Sequence, residues 1–140
     1  MKHMLISHRG NINGKTLLEN QPSYIDDAID LGYDVEVDIW YIGDRLYLGH
    51  DLAQYQIDLN WLENRKSKLW IHCKNHPALE LMCETDLHYF WHDEDDVTIT
   101  SKGIIWAHPK IRPLKKSIAV LPERHNWPVD DCLGVCSDYI

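Results

Sequence analysis

The chain of 140 residues is 44% hydrophobic and 26% charged, which is the balance of one ordinary globular domain over residues 1–140. Its formal net charge of −8 argues against general nucleic-acid binding, because neutralising phosphates requires a basic face. No apolar run approaches the ~18 residues of a membrane span.

The amino-terminal residues and the cysteines bear on the compartment. Residues 1–5 lack the long apolar core of a signal peptide. The four cysteines include no Cys-x-x-Cys pair, and nothing else indicates a disulfide framework. We therefore expect a cytoplasmic protein with reduced thiols.

The first two thirds of the chain alternate between strand and helix patterns. Residues 22–31 carry apolar side chains at helical spacing, with Pro22 in the first turn and Gly32 as the stop signal. In chain order we predict a strand over 3–7, a helix over 22–31, strands over 33–42 and 45–51, a helix over 58–67, a strand over 68–74, a helix over 76–84 and a strand over 87–92.

Beyond residue 92 the pattern changes to short apolar segments separated by polar turns, at 97–100, 103–108, 117–122 and 133–138. Strands that alternate with helices imply parallel pairing. We predict the α/β class: a compact, minimised TIM-type (β/α) barrel in which several outer helices are shortened or missing. Strand faces left bare by those helices would favour a homo-oligomer that covers them.

The strand over 33–42 carries an acidic pair. Side chains two apart on a strand share a face, so Glu36 and Asp38 point the same way. Paired carboxylates suit a hard divalent cation such as Mg²⁺, Ca²⁺ or Mn²⁺. The alternative is the solvated face of an edge strand, which has the same pattern.

Histidines end the strands on either side of that acidic strand. His8 and His50 each close an apolar run and each precede a charged residue, while His72 and Lys74 share one face of a later strand. In a parallel barrel the carboxyl ends of the strands meet at one mouth. We therefore expect the two histidines to flank a cation held by the acidic strand.

Other polar residues of this region have simpler interpretations. His92 and His108 each follow a strand, so both can reach the same mouth. His88 lies within a strand and is expected to be a packed, hydrogen-bonded side chain. Residues 93–96 are acidic and are expected to form a solvated loop, although Asp93 is a candidate to complete a metal site.

Over residues 8–51 these pieces resemble the glycerophosphodiester phosphodiesterase family of the PLC-like phosphodiesterase superfamily, as a short divergent member. The matching pieces occur in the family's order: His8-Arg9-Gly10, Glu19-Asn20, Glu36-Val37-Asp38, Gly43-Asp44 and His50-Asp51. Two further pieces match more thinly. His72-Cys73-Lys74 resembles the family's Glu-x-Lys with His72 in place of Glu, and Ser137-Asp138-Tyr139 resembles the end of its last strand.

The resemblance implies an enzyme of lipid metabolism that hydrolyses a small glycerophosphodiester-like phosphodiester with a bound divalent metal ion. By position, it implies His8 and His50 as the catalytic acid–base pair, Glu36, Asp38 and His72 as metal ligands, and Arg9 and Lys74 as phosphate contacts. Glu19 is a weaker candidate for the site, with ordering of the loop as the alternative role. Because an imidazole replaces a carboxylate at position 72, the site is softer, which favours Mn²⁺ or Zn²⁺ over Mg²⁺ or Ca²⁺.

Three alternatives remain open on sequence grounds. The first is a non-catalytic member of the same family that binds a phosphorylated ligand or partner. The second is a different lyase or phospholipase on the same scaffold. The third is an ordinary α/β domain without this chemistry.

Overall fold

A computed structural model describes residues 3–140 of the protein. The ten strands of these residues form one curled, mixed sheet with the shape of a half-barrel. In chain order they are β1 (Met4–His8), β2 (Asp34–Ile42), β3 (Arg45–Leu48), β4 (Tyr55–Ile57), β5 (Leu69–Cys73), β6 (Tyr89–Phe90), β7 (Val97–Ile99), β8 (Ile105–Ala107), β9 (Ser117–Val120) and β10 (Gly134–Ser137).

Within the described part of the chain, three short helices accompany the sheet: α1 (Pro22–Asp30), α2 (Leu59–Glu63) and α3 (His76–Met82). The carboxylate of Asp58 accepts a hydrogen bond from the Trp61 amide and starts α2, as its sequence position predicts. The Asn75 side chain caps α3 in the same way. Within residues 3–140, none of the helices has the length and hydrophobicity that a membrane span requires.

The centre of the sheet is parallel. Neighbouring pairs run in the order β6, β5, β2, β1, β10, β9, β8, all in the same direction. The carboxyl ends of these strands therefore share one edge. The register sets His8 beside Glu36 and sets His72 beside Asp38.

The predicted TIM-type barrel is wrong. Three pairings are antiparallel, namely β2–β3, β3–β4 and β7–β8, and β6 forms no ladder with β8 within the described residues. All three helices precede residue 83, because the later connections 91–96, 108–116 and 121–133 have no long amphipathic run and hold one 3-10 turn at Pro122–Arg124. The result is a half-barrel with helices along one part only.

Two apolar layers lie on the two sides of the curled sheet. Alternation along β2 sends Val35, Val37 and Ile39 outward, where they pack with residues of α1 and α3. The inner layer includes four fully or almost fully buried large side chains from four strands: Ile6, Trp70, Phe90 and Trp106. Glu36 and Asp38 also point inward, and therefore form a polar layer at the strand ends above this apolar floor.

Candidate active site

One cavity of about 310 Å³ opens at the edge where the parallel strands end. Six of the seven predicted site residues line it: His8, Arg9, Glu36, His50, His72 and Lys74. The seventh, Asp38, is fully buried and lies in one cluster with Glu36 and His72. The structure therefore brings together all the residues that sequence reasoning placed at one site.

His8 is held by a carboxylate from the far end of the chain. Its Nδ1 lies 2.7 Å from Oδ1 of Asp138, which also accepts a hydrogen bond from Asn11 at 2.9 Å. Burial raises the pKa of Asp138, but the hydrogen bonds from His8 and Asn11 outweigh it and lower that pKa overall. An ionised Asp138 fixes the proton on Nδ1, which leaves Nε2 for chemistry, 3.8 Å from Oε1 of Glu36.

His72 faces the acidic pair with one ring nitrogen. Its Nε2 donates a hydrogen bond to the backbone oxygen of His92 at 2.9 Å. Its Nδ1 then lies 3.1 Å from Oδ1 of Asp38 and 3.7 Å from Oε2 of Glu36. A histidine whose second nitrogen donates to a carbonyl is the usual arrangement of a metal ligand.

The acidic cluster requires a positive charge. Oε1 of Glu36 and Oδ1 of Asp38 are buried and accept no hydrogen bond from residues 3–140. Burial lowers the pKa of His72, yet Asp38 and Glu36 overcome this and raise it to about 9. Burial likewise opposes ionisation of Asp38, but His72, with help from Arg9, holds its pKa well below the usual range.

Arg9 offsets one of the two negative charges, and either a proton on His72 or a divalent cation supplies the remaining positive charge. Two orphaned carboxylate oxygens and one imidazole nitrogen, with ligand atoms within 4.8 Å of one another, fit a divalent cation. The donor set combines hard oxygen with borderline nitrogen, which suits Mn²⁺ or Zn²⁺.

The guanidinium of Arg9 already faces two carboxylates, so it is less available to a phosphate than the resemblance implies. Its Nε lies 3.1 Å from Oδ2 of Asp38 and its Nη1 lies 3.5 Å from Oε1 of Glu19. Asn20 supports the same carboxylate, since its amide donates to Oδ2 of Asp38 at 2.9 Å. Glu19 and Asn20 thus order the loop that carries Arg9.

A tight turn carries His50 into the cavity. Gly49 has φ 154°, and a Cβ there would lie 1.9 Å from the backbone oxygen of Leu52. Trp40 donates from Nε1 to the Gly49 carbonyl at 2.8 Å. Only glycine fits this turn, so the position of His50 depends on it.

The surroundings of His50 favour its neutral form. Burial lowers its pKa, and the nearby positive charges of Arg9 and Lys74 lower it further, although Asp38 and Asp51 oppose them. Its Nδ1 lies 2.8 Å from Oδ1 of Asp51. His50 is therefore mainly neutral at pH 7 and can accept a proton.

The opposite wall of the cavity holds residues that the sequence indicated only in part. His92 and His108 do reach the mouth, and their rings stack with centroids 5.0 Å apart. Asp138 was not assigned a role, although it follows the last strand just as His8 ends the first. Arg124 also lines the cavity, and no pattern in the sequence points to it.

No family model, curated protein or solved structure matches this chain. The functional interpretation therefore depends on the site geometry together with the motif resemblance over residues 8–51.

Proposed function

We propose that the protein is a metal-dependent phosphodiesterase that hydrolyses a glycerophosphodiester-like substrate with His8 and His50 as its acid–base pair. The observation that carries the proposal is the convergence of both histidines on one cavity beside the buried Glu36–Asp38 pair. The order of the motifs in residues 8–51 supports the same activity.

Glu36, Asp38 and His72 would hold the cation, because one oxygen of each carboxylate is buried without a hydrogen-bond partner and a ring nitrogen of His72 lies within the same cluster. When bound, the ion supplies positive charge that stabilises the charge building up on the phosphoryl oxygens. Lys74, which lines the cavity, provides a further cationic contact for a non-bridging oxygen.

The two histidines divide the proton transfers. His50, neutral at pH 7, accepts the proton of the attacking water or substrate hydroxyl as the new O–P bond forms. His8, when protonated on both nitrogens, keeps one N–H on Asp138 and donates the other from Nε2 to the leaving oxygen as its bond to phosphorus breaks.

The test is hydrolysis of bis(p-nitrophenyl) phosphate with added Mn²⁺ or Mg²⁺. We expect His8→Ala and His50→Ala each to lower kcat by roughly 10²–10⁴-fold, with unchanged circular dichroism. His125→Ala, an exposed histidine outside the cavity, is the matched control and should retain the wild-type rate. Wild-type rates in either cavity variant would refute the assigned roles.

The same assay distinguishes an enzyme from a protein that binds a phosphodiester without hydrolysing it. Binding of a phosphodiester that is sensitive to Glu36→Gln, without product release from the wild-type protein under any metal, would favour a binding protein over an enzyme.

A further inference from the structure

The cavity has a second wall that the proposed chemistry does not use. It is built from the part of the chain between β6 and β10, and its polar members are His92, Asp93, His108 and Arg124. The ring centroids of His72 in the acidic cluster and His92 on this wall are 6.3 Å apart. The second wall is therefore within reach of a small molecule whose phosphate lies at the acidic cluster.

The backbone that carries Arg124 is held firmly. Leu121, just before the 3-10 turn Pro122–Arg124, has the left-handed φ of 47°, which is costly for a branched side chain. Its amide donates to the Cys136 carbonyl at 2.7 Å, and Ser137 donates to Oε1 of Glu123 at 2.9 Å. A strained conformation kept in place by such bonds is typical of functional positions.

Two polar groups on this wall lack partners within residues 3–140. Arg124 lies within 4 Å of no carboxylate oxygen of these residues. Nδ1 of His108 is buried and has no hydrogen-bond partner. Burial lowers the pKa of the His108 ring, and Arg124, although exposed, is close enough for its charge to lower that pKa further. A buried nitrogen without a partner near a guanidinium without a carboxylate partner fits an acceptor group between them.

The charge of the cavity also supports an anionic group at this wall. Four basic side chains line it, Arg9, Lys15, Lys74 and Arg124, although the whole chain carries a formal charge of −8. A diester contributes a single negative charge, and Arg9 and Lys74 already lie at the end of the cavity where its phosphate would bind. Arg124 is an additional positive charge on the second wall, with Asp93 as the only carboxylate among the lining residues of that wall.

We infer that Arg124 and His108 form a second anion subsite, so that the substrate is a phosphodiester whose alcohol carries a further anionic group. The inference rests on the proposed function for the phosphate, and adds the chemistry of the group attached to it. Arg124 offers a planar fork that a carboxylate or phosphate engages through two hydrogen bonds, and His108 offers a ring nitrogen beside it.

The experiment compares two ligands of equal length, 3-phosphonopropionate and propylphosphonate, by calorimetric titration of the full chain with Mn²⁺. Only the first has a second anionic group. We expect it to bind the wild-type protein about 10-fold tighter or more, as one charge-assisted bidentate contact warrants. In Arg124→Gln the preference should vanish, while the affinity for propylphosphonate stays within about 2-fold.

Two further variants sharpen the result. Arg112→Gln is the matched control, because this exposed arginine lines a separate cavity, and it should keep the preference. Asp93→Asn removes the opposing charge and should increase the preference.

Equal binding of both ligands to the wild-type protein, no binding of either, or a preference that survives in Arg124→Gln would overturn the second subsite. Absent hydrolysis of bis(p-nitrophenyl) phosphate counts against the phosphodiesterase instead, since the binding preference does not require turnover.

Discussion

A single side chain, His8, depends on a residue 130 positions later in the chain. Its Nδ1 bonds to Asp138, and this bond sets the tautomer that leaves Nε2 free. We expect Asp138→Asn to lower kcat by at least about 10-fold with little change in KM, because the amide no longer selects that tautomer.

Steady-state kinetics on a p-nitrophenyl diester measures this split between kcat and KM. Asp130→Asn, at an exposed position, is the control and should behave like the wild type. An unchanged kcat in Asp138→Asn would mean that the bond only supports packing.

Two sequence features made part of the site predictable: the alternation of side chains along a strand and the positions at which strands end. Glu36 and Asp38 face inward because they alternate with buried valines, and His8 and His72 join them because parallel strands share an edge. Arg124 was not predictable, since its place depends on a left-handed residue before a 3-10 turn, which carries no sequence period. Nor does any local pattern indicate that Asp38 and Glu19 engage Arg9.

At the scale of an element, the turn after β3 determines the position of His50. We expect Gly49→Ala to destabilise the fold by more than about 2 kcal/mol, because the new Cβ meets backbone rather than a movable side chain. Chemical denaturation measures this loss.

Gly32→Ala is the matched control for that turn. Gly32 also has a positive φ, 98°, but a Cβ there meets nothing within 4 Å, so we expect a cost of only about 1–2 kcal/mol. Equal losses in the two variants would show that the clash at Gly49 is relieved cheaply.

A hydrogen bond between the residue before β6 and the residue after β7 is sensitive to acid. His88 is buried as predicted, 6% exposed, and its Nε2 lies 2.7 Å from the Thr100 hydroxyl. Burial, with a smaller effect of Lys102, lowers its pKa from 6.5 to about 4. Between these two values the unfolded chain binds more protons than the folded protein, so stability falls as the pH falls.

We expect this histidine to remove up to roughly 3 kcal/mol of the free energy of unfolding as the pH falls through that window. His88→Gln should flatten this part of the pH dependence in urea titrations, whereas His125→Gln, at an exposed site, should not. The same slope in His88→Gln and the wild type would contradict a neutral, buried His88.

Most helices and strands were predictable from the sequence, but whether the strands close into a barrel was not. The strand and helix patterns matched observed elements because the alternation and the caps, such as Asp58 at α2, act locally. Whether β6 pairs with β8 depends on the path of residues 91–104, where β7 pairs backward onto β8 instead. The three-residue β4, which extends the β2–β3 hairpin, also went unpredicted.

For the whole molecule, an ion bound to the acidic cluster would tie strand β2 to strand β5, so we expect stability to depend on the metal concentration. Free Mn²⁺ at about 100 times its Kd would add about 2.7 kcal/mol to the free energy of unfolding. In a chain of this size that corresponds to a rise in Tm of roughly 5–10 °C.

Thermal melts with Mn²⁺, and again after EDTA, measure this rise. Asp38→Asn should abolish it, and Glu84→Gln, which alters an exposed carboxylate away from the cluster, should keep it. An equal rise in Asp38→Asn would place the ion elsewhere.

The open ladder between β6 and β8 has a consequence for how such a protein can change. Every proposed metal ligand and proton carrier precedes residue 75, and Asp138, which positions His8, comes near the end of the chain. The opposite wall of the cavity comes from residues 92–124. At that opening no strand ladder joins the two sides: the Ser101 amide donates one backbone bond to the Tyr89 carbonyl at 2.8 Å, and the rings of Phe90 and Trp106 lie 4.7 Å apart. The loops that carry the proposed second subsite can therefore change in sequence without altering the proposed metal ligands and acid–base histidines.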